Sequence, residues 1–186
     1  MTIELRDYQE DAVQALFDYF KTNGGNPLLE LPTGAGKSIL LAEIIRRAVE
    51  QYRPTRIIML THLKELIEQN YRALCSVWKG TPPAGVYSAG LGLRDMGDQI
   101  IFASIQSAVN DVEGFGPRDL IFVDEAHRIP KAGSGQYLEF ISRMRAMNPS
   151  VKVIGLTATP YRMSGGYLHR GADRIFTDIA YCVGIR

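Results

Sequence analysis

The stretch Leu31-Pro32-Thr33-Gly34-Ala35-Gly36-Lys37-Ser38 decides how the rest of the chain is read. It follows a short apolar run, Pro27 to Leu31, set after a Gly-Gly-Asn-Pro turn, which suits a buried strand. Ser38 opens a helical pattern with Leu41, Ile44, Ile45, Ala48, Val49 and Tyr52 on one stripe. A loop between a parallel strand and a helix N-terminus aims free backbone N–H groups at one point, along the positive end of the helix dipole. Gly34 and Gly36 let that backbone turn tightly and approach phosphate oxygens with no Cβ between them. Thr33 and Ala35 complete the cradle, Lys37 can reach the β- and γ-phosphates, and the Ser38 hydroxyl can ligate Mg²⁺. The strict form of such a loop carries glycine where this chain has Leu31, so the stretch alone leaves a chance glycine-rich turn open.

A second stretch narrows the choice. Leu120-Ile121-Phe122-Val123 is fully apolar and reads as a buried parallel strand that delivers Asp124 and Glu125 to its carboxyl end. Ligands of open α/β sheets bind there. Beside a bound Mg-nucleotide, Asp124 would hold the metal through water and Glu125 would orient and deprotonate the attacking water. The competing account is a solvated acidic turn, which a fully apolar run in front of the pair disfavours. A lone histidine such as His127 is commonly a packing or hydrogen-bonding residue; its expected work is coupling to neighbouring loops.

Composition agrees. A chain of 186 residues holds one sizeable core, and its formal net charge of +1 means that nucleic-acid binding must rest on local patches. Cys75 and Cys182, far apart in the chain, suggest a reduced cytoplasmic protein and no disulfide scaffold. The N-terminus carries Glu4, Arg6, Asp7, Glu10 and Asp11, unlike a signal peptide, and no apolar run approaches a membrane span.

The periodicity predicts a βαβ alternation. Arg6 to Phe20 reads as a helix burying Ala12, Val13, Leu16, Phe17 and Phe20, and Arg56 to Leu60 as a strand. Leu63 to Trp78 reads as a helix with Leu63, Leu66, Ile67, Tyr71, Leu74, Cys75 and Trp78 on its core face. Strands are predicted at Gly85 to Tyr87, Gln99 to Ser104 and Val151 to Leu156, with Ala89 to Met96 as a loop. Ser134 is expected to cap a helix burying Tyr137, Phe140, Ile141, Met144 and Met147. The sum is an α/β fold, a three-layer sandwich of the RecA-like P-loop NTPase type with a mostly parallel central sheet.

Taken in order, these segments resemble the first motor domain of superfamily 2 (DEAD/DEAH-type) helicases. Arg6-Asp7-Tyr8-Gln9 is similar to the family's adenine-recognition segment, and Leu31 to Ser38 to its motif I, where a non-glycine leading residue is usual. Thr61-His62-Leu63-Lys64-Glu65-Leu66 resembles motif Ia, Ala103-Ser104-Ile105-Gln106-Ser107 a further strand-contact segment, and Asp124 to His127 motif II. Leu156-Thr157-Ala158-Thr159-Pro160 resembles motif III. Asp124 to Ile129, Gln136-Tyr137 and Gly155 to Tyr161 are most similar to bacterial RadD-type repair helicases, close to restriction-enzyme translocase subunits.

The resemblance implies an ATP-dependent DNA helicase or translocase acting in repair or recombination, of bacterial or phage origin, with ATP and Mg²⁺ as cofactors. Lys37, Asp124 and Glu125 would be catalytic, while Arg6 and Gln9 would bind adenine, Gln9 pairing with its N6/N7 edge as glutamine does elsewhere. For Gln9 a solvated helix-start residue is the alternative. Thr61, His62, Lys64, Ser104, Gln106 and Ser107 would face one DNA strand's phosphates, giving salt-sensitive, sequence-independent binding. A solvated Lys64 is nearly as good an account. Thr157 and Thr159 would link hydrolysis to domain movement, a plain strand-to-turn role being the alternative. Such motors need a second RecA-like domain for their arginine fingers. We expect residues 1–163 to be the first domain and 164–186 a tail starting the crossover to the second, with slow hydrolysis by this chain alone. A restriction-enzyme motor subunit and a non-catalytic docking module are the other readings.

Overall fold

The computed structural model describes residues 4–52, 54–129, 135–162, 166–171 and 174–183. Its centre is an eight-stranded sheet built from β1 (Pro27–Glu30), β2 (Ile57–Thr61), β3 (Ala84–Ser88), β4 (Leu93–Arg94), β5 (Ile100–Ser104), β6 (Leu120–Val123), β7 (Lys152–Thr157) and β10 (Asp178–Cys182). The order across the sheet is β10-β1-β7-β6-β2-β5-β3-β4. All pairings are parallel except β3 with β4, an antiparallel edge inside the segment expected to be a loop. A separate antiparallel pair, β8 (Tyr161–Arg162) and β9 (Gly166–Tyr167), follows β7.

Strand residues alternate between two cores, as the pleat requires. Ile57, Met59, Ile100, Phe102, Phe122 and Ile154 face α1 (Asp7–Thr22), α2 (Lys37–Gln51) and α3 (Lys64–Val77). Ile58, Leu60, Ile101, Ala103, Ile121 and Val153 face the other way, toward α4 (Ile105–Ala108) and α5 (Gln136–Met147). The architecture is therefore a three-layer α/β sandwich around a mostly parallel sheet. Among the described residues no helix is long and apolar enough to cross a membrane.

The helical stripes drift from expectation at their margins. Tyr52, expected in the core, lies past the end of α2, is 56% exposed and stacks on Phe17. Leu63 and Cys75 are also exposed, because the buried face of α3 runs through Ile67, Asn70, Ala73 and Leu74. The expected Ser134 cap lies outside the described residues; α5 begins at Gln136 after Gly135.

The boundary expected after residue 163 does not coincide with the edge of the sheet. β10 pairs in parallel with β1, and Tyr19 Oη donates to Asp178 Oδ2 at 2.6 Å. Phe176 is fully buried over Gly155, where an added Cβ would stand 2.7 Å from the ring. Residues 174–183 thus belong to the same core. Their apolar content was too short to signal a strand.

Arg118 is the largest fully buried side chain. It donates to the carbonyls of Met96 (2.8 Å), Asp98 (2.7 Å), Gln99 (3.2 Å) and Phe115 (3.1 Å) and reaches that of Ile57 at 3.5 Å, joining the amino ends of β2 and β5. Burial, with Arg56 nearby, pulls its guanidinium down to about 10, still charged at neutral pH. Removing it would orphan several buried carbonyls at once. We expect Arg118→Ala to lower the unfolding free energy by about 3 kcal/mol or more, read from the urea midpoint, with Arg118→Lys recovering part of the loss.

Candidate functional site

The parallel register brings the expected motifs to one edge. Glu30 pairs with Thr157, and Leu60 with Val123, so the ends of β1, β7, β6 and β2 lie side by side. The Leu31 N–H donates to the Thr157 carbonyl at 2.9 Å, which ties the start of the phosphate loop to the end of β7. The Leu31 side chain itself is fully buried beneath the helices. That burial is what a leading glycine could not supply.

Past Leu31 the chain makes the turn anticipated for a phosphate cradle. Gly34 and Gly36 have φ of 81° and 69°, a left-handed conformation that disfavours other residues. The bonds of α2 begin with Ile39 and Leu40 donating to the Gly36 carbonyl, so the N–H groups of Lys37 and Ser38 precede them. An N-terminal latch holds this loop. Tyr8 Oη and Gln9 Nε2 both donate to the Ala35 carbonyl (2.9 and 3.1 Å), and Gln9 Oε1 accepts from the Arg6 N–H at 3.0 Å. Gln9 is buried, with both ends of its amide engaged. In this state it supports the loop and does not present a free adenine-reading edge; Arg6 is exposed, within 3.2 Å of Tyr8 Oη.

Opposite the loop stand the two carboxylates. Asp124 is buried; its Oδ1 accepts from the Glu125 N–H at 3.0 Å and its Oδ2 faces Asn70 Nδ2 at 3.4 Å. Burial, then the charge of Glu125, push its carboxyl above the ordinary range. Glu125 has φ 53°, making it the one non-glycine residue with positive φ among those described. Such strain concentrates at functional sites. It turns the Glu125 side chain toward Lys37, whose Nζ is 3.2 Å from Oε1.

The other oxygen of Glu125 leads outward. His127 Nδ1 lies 3.3 Å from Glu125 Oε2 and 3.2 Å from Thr157 Oγ1. Thr157 gives its proton to the Thr159 carbonyl at 2.7 Å and accepts from the Thr159 N–H. A carboxylate only accepts, so Nδ1 of His127 carries the hydrogen. The expected coupling residues thus form one chain, Glu125–His127–Thr157–Thr159.

The residues expected at a DNA strand divide. Lys64 and Gln106 are exposed, and Gln106 Nε2 touches the His62 carbonyl at 3.3 Å. Ser104 and Ser107 are buried and bonded to each other at 2.9 Å, with Ser107 Oγ also accepting from the Ala89 N–H. Thr61 is fully buried with an unpartnered hydroxyl. These three hydroxyls are turned into the fold and do not face a phosphate here. Burial and the nearby Arg128 charge hold His62 below the usual histidine range.

Sequence reasoning missed Gln69, whose Nε2 donates to Ser38 Oγ at 2.9 Å, and Asn70. No local motif marked either one. Whether the site fits a Mg-nucleotide can be judged from these groups. The described residues hold no cluster of three or more His, Cys, Asp or Glu able to bind a metal. One hydroxyl, one carboxylate and a cradle of N–H groups instead suit Mg²⁺ carried on phosphate oxygens and water. The residues present fit the group.

Residues 2–162 match the family model described as type III restriction enzyme, res subunit. The chain belongs to that family. Among curated relatives, the ATP-dependent DNA helicase mph1 of Aspergillus terreus is 32% identical over 168 residues, covering 83% of this chain but only 14% of that protein. The Pyrococcus furiosus Hef helicase domain superimposes with a TM-score of 0.64 at 25% identity, over 88% of this chain and 36% of that one. A nuclease-deletion mutant of the type ISP restriction-modification enzyme LlaGI, in complex with a DNA substrate mimic, gives a TM-score of 0.70 at 20% identity, covering 98% and 20%. The RecA-like class read from the sequence is the fold these structures share.

Stability and chemistry oppose each other at Asp124. Its carboxyl is raised in the fold, so folding disfavours the ionised form. That penalty is complete above the folded value and gone below the unfolded 3.8. Asp124→Asn is therefore expected to stabilise the ligand-free protein at pH 7.5 by about 1–2 kcal/mol, with the gain shrinking as pH falls. Urea midpoints measured at pH 7.5 and at progressively lower pH check this.

Proposed function

We propose that this chain is the ATP-binding motor domain of a DNA helicase or translocase, using Mg-ATP and tracking one strand's backbone. The observation that carries the reading is the meeting of Lys37, Ser38, Asp124 and Glu125 at the carboxyl edge of the sheet, with Glu125 wired to Thr157 through His127. When bound, Mg²⁺ would neutralise charge on the transferring phosphate. Ser38 Oγ and Asp124 would hold it, Asp124 through water. Lys37 would leave Glu125 for the β- and γ-phosphates, which frees the carboxylate to orient water and accept its proton. Strand contact would run through Lys64, Gln106 and backbone N–H groups.

A second RecA-like domain would complete the site with arginine, facing the groups that the described residues bring together. DNA repair or recombination is the setting the resemblance to repair helicases favours, and the relative named above is itself an ATP-dependent DNA helicase. The family match also favours the motor of a restriction enzyme as a second reading. Placement beside RadD-type repair helicases, with a bacterial or phage source, rests on Asp124 to Ile129, Gln136-Tyr137 and Gly155 to Tyr161, whereas the relative at 32% identity is fungal; a cytoplasmic location rests on Cys75 and Cys182, far apart in the chain.

Lys37→Ala should abolish nucleotide binding, whereas Glu125→Gln should retain binding and lower turnover by about a hundredfold or more. Equilibrium binding of a fluorescent ATP analogue and single-turnover hydrolysis distinguish them. Unchanged hydrolysis in both variants would refute the mechanism. Affinity for oligothymidylate should fall steeply with salt, and Lys64→Ala should reduce the log–log slope by about 0.7, the value for one phosphate contact on single strands. A slope identical to the parent's would remove Lys64 from the strand path.

A further inference from the structure

Two adjacent residues of α3 touch the two groups assigned to the metal. Gln69 Nε2 donates to Ser38 Oγ at 2.9 Å, and Asn70 Nδ2 points at Asp124 Oδ2 at 3.4 Å. Gln69 is exposed, while Asn70 is 1% exposed. The second contact of the Asn70 amide is Met59 Sδ at 3.5 Å, a weak acceptor, and its Oδ1 is buried with no hydrogen-bond partner. A buried amide left half-satisfied is costly, and an apolar residue would fill that core position better. The donor directed at Asp124 is the feature an apolar residue could not provide.

The two contacts act on orientation. Asp124 Oδ1 is already pinned by the Glu125 N–H, so the Asn70 contact on Oδ2 fixes the plane of the carboxylate and leaves its remaining lone pairs turned to the site. Gln69 occupies one lone pair of the Ser38 hydroxyl and selects its rotamer, with a second lone pair left for a cation. We propose that Gln69 and Asn70 are positioning residues that jointly set the metal-facing oxygens of Ser38 and Asp124 from one turn of α3. This rests on the nucleotide-site reading above. Outer-shell partners of this kind typically govern metal affinity by about tenfold to a hundredfold.

The test is the gain in N-methylanthraniloyl-ADP affinity on replacing EDTA by Mg²⁺, measured on this chain. Parent, Gln69→Ala, Asn70→Ser and Lys37→Ala are compared, with thermal unfolding as the check of folding. The gain should fall by about tenfold in Asn70→Ser and by about threefold in the more exposed Gln69→Ala, while affinity in EDTA stays within about twofold of the parent. If both folded variants keep the full Mg²⁺ gain, or lose affinity equally in EDTA, the proposal is overturned. Should Asn70→Ser fail to fold, Gln69→Ala alone decides on the same criterion. A parent that binds no nucleotide, like Lys37→Ala, would instead refute the nucleotide-site reading beneath it.

Discussion

Parallel pairing of β1, β7, β6 and β2 is the constraint on which everything else depends. Evenly spaced ladder bonds hold the strands in register, so four chain segments distant in sequence end along one line. The Leu31–Thr157 bond extends that ladder one step beyond β1 and fixes where the loop begins. Because each strand is buried on both faces, a slip of one residue would exchange its two core sets and is strongly opposed. The geometry of the candidate site is therefore inherited from backbone hydrogen bonding, and side chains refine it.

Within that frame the carboxylates hold unequal positions. Asp124 is buried and loaded toward its neutral form, whereas Glu125 is nearer the surface and paired with Lys37. On the function proposed above, Lys37 is thus engaged with the very group it would release when a phosphate arrives. Exchange of one anionic partner for another is less costly than drawing a free ammonium from water, since the desolvation of Lys37 has already been met by the fold. The contact from His127 to Thr157 links that pair in space to the end of β7.

The fold was legible because fully apolar runs such as Leu120 to Val123 mark buried strands, and the stripe Leu41, Ile44, Ile45, Ala48 and Val49 holds one helical period through α2. The meeting of Gly34, Gly36, Lys37 and Asp124-Glu125 at one edge was legible because each group is local in sequence and follows an apolar run. What escaped was non-local. Gln9 turns into the phosphate loop because Tyr8 and Gln9 meet the Ala35 carbonyl, a contact between residues 26 and 27 apart. Ser104 and Ser107 pair with each other, and Asn70 reaches Asp124 across 54 positions. No periodicity encodes such partners. β10 was invisible for a related reason: a short strand with Asp178 and Cys182 at its ends carries little apolar signal until Phe176 and β1 supply its setting.

Arg118 gives this sheet a polarity of bonding. Its guanidinium laces together the amino ends of the central strands, the side away from the phosphate loop. At the opposite end, glycines in left-handed conformation, a strained Glu125 and the unpartnered Thr61 hydroxyl meet. The largest fully buried side chain among the described residues thus anchors the end of the sheet remote from Lys37 and Glu125, so its loss would cost stability without removing any group from the carboxyl edge.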